Sequence, residues 1–403
     1  MKQPTLQSYI IYVILSLLRS TSLGFNLNIV TRFATGRSAT LVKAPSHKFS
    51  NALCMSSSNA YASQLIIETK QIQLSQVSAE IKICKPSNGQ SKGNGNDTGS
   101  DPFASIRNLL QNKATSVKQT NTPPLLFIHG SFHASWCWAD HYMSYFASLG
   151  YPCYALSLRG TGGTFAGEGV KKVKIQEHVG DLTDFISYIR ESEGLESKPV
   201  LIAHSFGGLA IMKYLETNLL DQMEADASET APDELLVSGV ASLCSVPPSG
   251  NGKMTLRFLK RSLVDSWKIT TGLAMKKCIT DEKLCRELFF DEDDDGISNE
   301  DLKRFQGYFM RDTIATIDLA NLAKQLPINH VNGNGKAVFL PNQLPSLVIG
   351  AKDDFIVDDV GVQETAKYYG VEPVFVDSPH DIMLGSKWFN GANALKRWLE
   401  DEV

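Results

Sequence analysis

The chain has 403 residues, of which 43% are hydrophobic and 20% are charged, an ordinary composition for a globular protein. Its formal net charge of −4 gives no reason to expect nucleic acid as a partner. The seven cysteines are odd in number and none are spaced as C-x-x-C, which argues against a disulfide framework and a zinc site, so we expect no bound metal.

The N-terminal region has the composition of a targeting sequence. Glu68 is the first acidic residue, and Lys2 is followed by the apolar run 9–18 and then by small residues. This layout predicts a signal peptide at 1–24, and the basic, Ser/Thr-rich stretch 25–62 is typical of a transit peptide. The tandem resembles the bipartite presequences of plastid proteins in algae with secondary plastids, so we expect a plastid location. The alternatives are a secreted or ER-lumenal protein with a disordered pro-segment, and an N-terminal membrane anchor that is never removed.

Residues 63–403 form the predicted folded domain. Alternating apolar and polar side chains predict one or two antiparallel strands at 64–84, and the stretch 85–122, rich in small and polar residues, predicts a disordered insertion. Beyond it, short apolar runs alternate with helical patterns, which predicts a mainly parallel sheet with helices on both faces. The predicted strands are 124–130, 152–160, 199–204, 235–244, 345–350 and 373–377, and the predicted helices are 173–192, one starting at Ser205, and about 386–402.

A stretch of helical patterning, about residues 247–343, separates two of the predicted strands. It is too long for a loop between strands of one sheet, so we expect an inserted helical cap over one edge. Its acidic run ending at Gly296 is better explained as a solvated loop than as a calcium loop. Ser298, with Asp301 three residues later, predicts the start of a helix.

The segment AHSFG places Ser205 between an apolar strand and a helix. A serine on such a sharp turn projects its hydroxyl above the sheet, and small neighbours are needed because the strand and helix nearly touch. The pattern is G-x-S-x-G with Ala203 in the first glycine position, a mild departure. The sequence therefore predicts that Ser205 is a nucleophile.

A serine hydroxyl needs a base to remove its proton, and His380 is the histidine expected to do so. It follows the predicted strand 373–377, so it would lie at the carboxyl edge of the sheet, where Ser205 also emerges. The other histidines fall in the presequence, beside the serine, around another turn, or in predicted helices and loops: His47, His204, His129, His133, His141, His178 and His330.

The imidazole in turn needs a carboxylate to hold its tautomer and stabilise its charge. Two candidates follow the strand 345–350. Counting three residues on from Gly350 gives Asp353, whereas matching D-F-I-V to the pattern D-x-[IV]-[VF] gives Asp354. We favour Asp354, with Asp353 as the alternative.

A tetrahedral intermediate formed by serine attack on a carbonyl group also needs hydrogen-bond donors for its oxyanion. One donor should be the N–H of Phe206, directly after the nucleophile. The other should come from the turn HGSF after the strand 124–130, where the N–H of Ser131 is the first candidate and that of Phe132 the second.

Taken in order, the motifs HGSFHASWCW, YPCYALSLRGTGGT, AHSFGG, VIGAKDDFIV and SPHDIM resemble the α/β-hydrolase superfamily, in its branch of esterase- and lipase-like enzymes with a helical cap. The resemblance covers about residues 124–402. It implies an α/β fold with a mainly parallel sheet of the eight-stranded type, a triad of Ser205, His380 and an aspartate at 353 or 354, and no cofactor. A serine nucleophile argues against the haloalkane dehalogenase and epoxide hydrolase branches, which use aspartate there.

These features predict a carboxylic-ester hydrolase that acts through an acyl-enzyme on a small hydrophobic ester, such as a lipid, and they allow peripheral contact with membrane lipid. The substrate class rests on analogy and on the aromatic-rich cap. Two alternatives stay open: acyl transfer on the same triad, and a non-hydrolytic ligand receptor on the same scaffold.

Overall fold

The computed structural model describes residues 65–86, 122–193, 197–225, 236–290 and 297–403. The predicted presequence at 1–62, nearly all of the predicted insertion at 85–122, and the acidic run before Ile297 lie outside these ranges.

Ten strands occur in the described residues: β1 (Ile67–Gln73), β2 (Ser78–Cys84), β3 (Leu125–Ile128), β4 (Cys153–Leu156), β5 (Lys172–Val173), β6 (Val200–His204), β7 (Gly239–Leu243), β8 (Thr316–Ile317), β9 (Ser346–Ala351) and β10 (Val374–Val376). Eight of them form one sheet in the order β1-β2-β4-β3-β6-β7-β9-β10, while β5 and β8 form a separate parallel pair. β2 pairs antiparallel with β1 and β4, and every pairing from β4 to β10 is parallel. The predicted mainly parallel sheet with antiparallel leading strands is confirmed.

The central strands are short apolar runs because both of their faces are covered. Every residue of β3, β4, β6 and β7 is buried. Continuous burial of this kind is typical of parallel strands with helices packed against the sheet. Since parallel strands end at the same edge, the turns after β3, β6, β9 and β10 meet there.

Eleven α-helices occur in the described residues: α1 (Trp136–Ala139), α2 (Tyr142–Ser148), α3 (Ile175–Ser192), α4 (Phe206–Ala225), α5 (Asn251–Arg261), α6 (Leu263–Ile269), α7 (Glu282–Cys285), α8 (Asn299–Arg311), α9 (Leu319–Leu322), α10 (Asp359–Tyr369) and α11 (Trp388–Asp401). The predicted apolar face of α3 is buried, as Leu182 and Phe185 illustrate. The predicted start of α8 is confirmed, because the Ser298 hydroxyl accepts a hydrogen bond of 3.0 Å from the N–H of Asp301. None of the described helices combines the length and apolar character needed to cross a membrane.

Helices α5 to α9 and short π- and 3₁₀-helical segments lie between β7 and β9, in the stretch predicted to form a cap. This helical layer contacts the carboxyl edge of the sheet directly. The N–H of Asp381, after β10, donates to the carbonyl of Phe289 at 3.1 Å. On the other side, the carboxylate of Asp312 accepts from the N–H of Gly162 at 2.8 Å and from the indole N–H of Trp136 at 2.9 Å. The layer is therefore tied to the loops after β10 and β4 and to helix α1.

Candidate active site

Ser205 lies on the sharp turn between β6 and α4. Its φ of 52° is in the left-handed region, which non-glycine residues rarely adopt. The turn is crowded, since a Cβ atom on Gly207 would lie 2.6 Å from the carbonyl oxygen of His129 and 2.7 Å from that of Ile128. Glycine at position 207 thus allows α4 to start against the neighbouring strand β3, and the side chain of Ser205 projects at the sheet edge.

His380 comes to Ser205 from the loop after β10. Its Nε2 atom lies 3.2 Å from the Oγ atom of Ser205. The imidazole is only 1% exposed. At this separation, the hydroxyl can donate its proton to the ring nitrogen.

Asp354 lies behind the imidazole, on its other nitrogen. Both of its carboxylate oxygens are 2.9 Å from Nδ1 of His380. The Oδ1 atom also accepts from the N–H groups of Ile356 and Val357, each at 2.8 Å. By contrast, the side chain of Asp353 is 44% exposed and has an oxygen 3.6 Å from Nζ of Lys387. The structure therefore brings Asp354, rather than Asp353, to His380.

The surroundings of His380 favour its protonated form. Burial, the largest influence, lowers the pKa of His380, but the charge and hydrogen bond of Asp354 together with the charge of Asp381 outweigh it, so this pKa is raised above its usual value. A positive charge on the imidazole is therefore stabilised within the site.

The turn after β3, residues 129–133, lies against Ser205; we call it the β3 turn. A Cβ atom on Gly130 would come within 2.7 Å of the Cβ atom of Ser205. Ser131, Phe132 and Phe206 line one small cavity together with residues of the helical layer. The residues predicted to supply oxyanion donors are thus close to Ser205. Phe132 has a φ of 70°, so it adopts the left-handed region as Ser205 does.

A buried cluster that we did not predict lies beside these residues. Nε2 of His133 is 2.9 Å from Oδ2 of Asp381, and Nδ1 of His133 is 2.8 Å from the carbonyl oxygen of Ser131. The Nε2 atom of His204 lies 2.9 Å from the carbonyl oxygen of His380. The available signal was their position in the sequence, because His204 directly precedes Ser205 and Asp381 directly follows His380.

Among the residues that the structure describes, two groups of side chains could offer ligands to a metal ion. One is Cys244 with Asp354 and His380, and the other is His133 with His204 and Asp381; within each group the ligand atoms lie within 4.8 Å of one another. A metal in the second group would have to displace the hydrogen bond between His133 and Asp381 in a fully buried space. We therefore interpret it as a hydrogen-bonded network.

Comparisons with known proteins agree with this fold. A model of the alpha/beta hydrolase family matches residues 125–391. None of the curated proteins compared with the chain matches it. Among solved structures, epoxide hydrolase A from Mycobacterium thermoresistibile is similar, with a TM-score of 0.52 and 16% identity over 83% of this chain and 99% of that chain. Bromoperoxidase from Bacillus anthracis has a TM-score of 0.51 and 14% identity over 83% of this chain and 100% of that chain. At such identities the likeness concerns the fold alone. The family match, which spans more than half of the sequence, shows that the chain belongs to the alpha/beta hydrolase family.

Proposed function

We propose that the protein is a serine hydrolase that cleaves a carboxylic ester through Ser205, His380 and Asp354. One observation carries the proposal. The serine oxygen lies 3.2 Å from one imidazole nitrogen, while the carboxylate lies 2.9 Å from the other. A hydroxyl, a base and a group that orients the base are the three parts that nucleophilic catalysis by serine needs.

The reaction follows from these contacts. Nε2 of His380 takes the proton of the Ser205 hydroxyl as Oγ attacks the ester carbonyl, and Asp354 stabilises the imidazolium that forms. The N–H groups of Phe206 and Ser131, or Phe132 in place of Ser131, hold the oxyanion. His380 then gives its proton to the leaving alcohol, whose departure leaves an acyl group on Ser205. Water, deprotonated by His380, releases the acid and restores the serine.

The aromatic surroundings of the base support a hydrophobic substrate. The ring centroid of Phe289 is 6.3 Å from that of His380, 6.0 Å from that of Phe132 and 5.1 Å from that of Phe309. Of this cluster, Phe132 lines the cavity, together with Phe206 and Leu158, and apolar groups gain free energy when they leave water for such a lining. We therefore propose that the acyl or alcohol part of the ester is apolar, as in a lipid.

Peripheral contact with membrane lipid forms part of the same proposal. Phe165 is 70% exposed and Ile314 is 71% exposed. The two loops that carry them meet at Gly160, where a Cβ atom would lie 2.6 Å from Ala315 and 3.5 Å from Ala166. Ala315 also lines the cavity beside Phe206. Apolar side chains exposed next to the cavity would enter the surface of a bilayer. The plastid location rests on residues 1–62 and stays a prediction.

Labelling with a fluorophosphonate tests the proposed chemistry. The full-length protein should form a covalent adduct, and Ser205→Ala should not. Equal labelling of the two proteins would contradict the proposal and would favour the non-hydrolytic receptor. A panel of p-nitrophenyl esters of increasing chain length should give the highest kcat/KM for the longer acyl chains. Adding an alcohol separates hydrolysis from acyl transfer, because a transferase would form the new ester in preference to the free acid.

A further inference from the structure

A second contact between an aspartate and a histidine lies beside the proposed triad. Asp381 and His133 are 248 positions apart in the chain, yet Oδ2 of one lies 2.9 Å from Nε2 of the other. Their side chains are 0% and 1% exposed. Asp381 directly follows His380, and His133 belongs to the β3 turn. The contact thus joins the loop that carries the base to the turn that lies against the nucleophile.

Both ring nitrogens of His133 face oxygen atoms that accept hydrogen bonds. Nδ1 faces the carbonyl of Ser131 at 2.8 Å, and Nε2 faces the carboxylate of Asp381. Nε2 of His133 shares a hydrogen bond with the carboxylate of Asp381. The carbonyl of Ser131 can only accept a hydrogen bond, so Nδ1–H of His133 is the donor there.

This hydrogen bond holds a strained part of the backbone. The φ of Phe132 is 70°, in a region where a non-glycine residue stays only if its surroundings hold it. The carbonyl of Ser131 belongs to the peptide unit directly before Phe132, so fixing that carbonyl fixes the peptide. If this peptide flipped, the carbonyl oxygen of Ser131 would take the place of the N–H of Phe132. Any negative charge that the N–H had faced would then face an oxygen atom.

We propose that the pair formed by Asp381 and His133 is a positioning device that holds the β3 turn in the orientation that stabilises the oxyanion. The proposal rests on the hydrolase function proposed above. Neither residue touches the substrate in this role: His133 acts through the backbone of Ser131 and Phe132, and Asp381 acts through His133. The pair also links the turn to His380, so that the base and the oxyanion donors keep a fixed relation.

The variant His133→Phe tests this role. It retains an aromatic ring next to Trp136, whose centroid lies 5.4 Å from that of His133, but removes both hydrogen bonds. We expect kcat for a p-nitrophenyl ester to fall roughly 10- to 100-fold with little change in KM, because the lost interaction acts on the transition state. Labelling by a fluorophosphonate should slow in parallel, since the adduct places an oxygen at the oxyanion position. Ile189→Ala, in the buried face of α3, is the control for a loss of stability alone and should keep its kcat.

Two substitutions of Asp381 sharpen the test. In Asp381→Asn, the amide can donate to Nε2 of a neutral imidazole, so Nδ1–H still donates to Ser131 and kcat should stay near that of the wild type. Asp381→Leu keeps the branched shape of the side chain but has no donor or acceptor, and its kcat should fall as in His133→Phe. A wild-type kcat in His133→Phe, or equal kcat values in the Asn and Leu variants, would overturn the proposal. If His133→Phe does not fold, the comparison of Asn with Leu decides. Labelling of Ser205→Ala decides the hydrolase function separately.

Discussion

Both carboxylate oxygens of Asp354 lie 2.9 Å from Nδ1 of His380, whereas the neighbouring Asp353 has a side chain that is 44% exposed. The two residues therefore form a matched pair for mutation. Asp354→Asn should lower kcat by roughly 10³- to 10⁴-fold, because an amide can hold the imidazole in the wrong tautomer and cannot stabilise its positive charge. Steady-state kinetics with a soluble ester measures the effect.

Asp353→Asn is the control for this change. Its exposed carboxylate contributes little beyond a solvated ion pair, so kcat should stay near that of the wild type. A large loss in Asp353→Asn together with normal activity in Asp354→Asn would show that the other aspartate serves the base.

The sequence predicts those parts of the site that have a local signal. Ser205 and His380 each follow an apolar strand, and such strands end at one edge of a parallel sheet. The choice between Asp353 and Asp354 rests on the match to D-x-[IV]-[VF] alone, since both residues follow β9 and the fold of the turn decides which one faces the imidazole. There, the N–H of Asp354 bonds back to the carbonyl of Ala351 at 3.4 Å.

The contact between His133 and Asp381 could not be predicted from the sequence, for a different reason. It depends on how the turns after β3 and β10, at positions far apart in the sheet order, approach each other across the strands between them. Hydrophobic periodicity predicts where strands and helices form, but it does not predict the distance between two loops. The same limit applies to the helical cap. Its patterning predicts helices, but it does not predict which of their residues contact the edge of the sheet.

The pH dependence of activity should report the charge of Asp381. His380 must be neutral to accept the serine proton, and its raised pKa places the acid limb of kcat/KM above the usual pKa of histidine, 6.5. Removing the negative charge in Asp381→Asn lowers the pKa of His380, so activity should persist to lower pH. A pH profile of kcat/KM checks the direction of the shift.

The other groups around His380 support this interpretation. Burial lowers the pKa of His204 well below its usual value and raises that of Cys244 well above it, so both are neutral across this range. Asp377→Asn is the control, because that carboxylate is 63% exposed and screened by solvent. An acid limb that shifts equally in the two variants, or that moves upward in Asp381→Asn, would contradict the prediction.

Gly207 should be required for stability as well as for the position of Ser205. A Cβ atom there would lie 2.6 Å and 2.7 Å from two backbone oxygens, which cannot move like a flexible side chain. Gly207→Ala should therefore lower the free energy of unfolding by about 1–3 kcal/mol. Gly180→Ala, in the exposed face of α3 with nothing within 4 Å of the added atom, should raise it by about 0.5–1 kcal/mol. Thermal unfolding distinguishes the two, and a melting temperature unchanged by Gly207→Ala would show that the turn relaxes.

Exposed apolar side chains beside the cavity predict binding to vesicles. Phe165 and Ile314 are more than two-thirds exposed, and burial of one such side chain contributes roughly 1.5–3 kcal/mol. In the double variant Phe165→Glu and Ile314→Glu, partition onto vesicles of phosphatidylcholine with phosphatidylglycerol should fall by about tenfold or more. Cosedimentation measures the partition, and hydrolysis of a short soluble ester should not change, since neither side chain lines the cavity. The double variant Val338→Glu and Val360→Glu, at side chains that are 56% and 54% exposed, adds the same number of charges; it is the matched control and should bind as the wild type does. An equal loss of binding in the control would mean that added negative charge, rather than a specific apolar surface, weakens the contact with lipid.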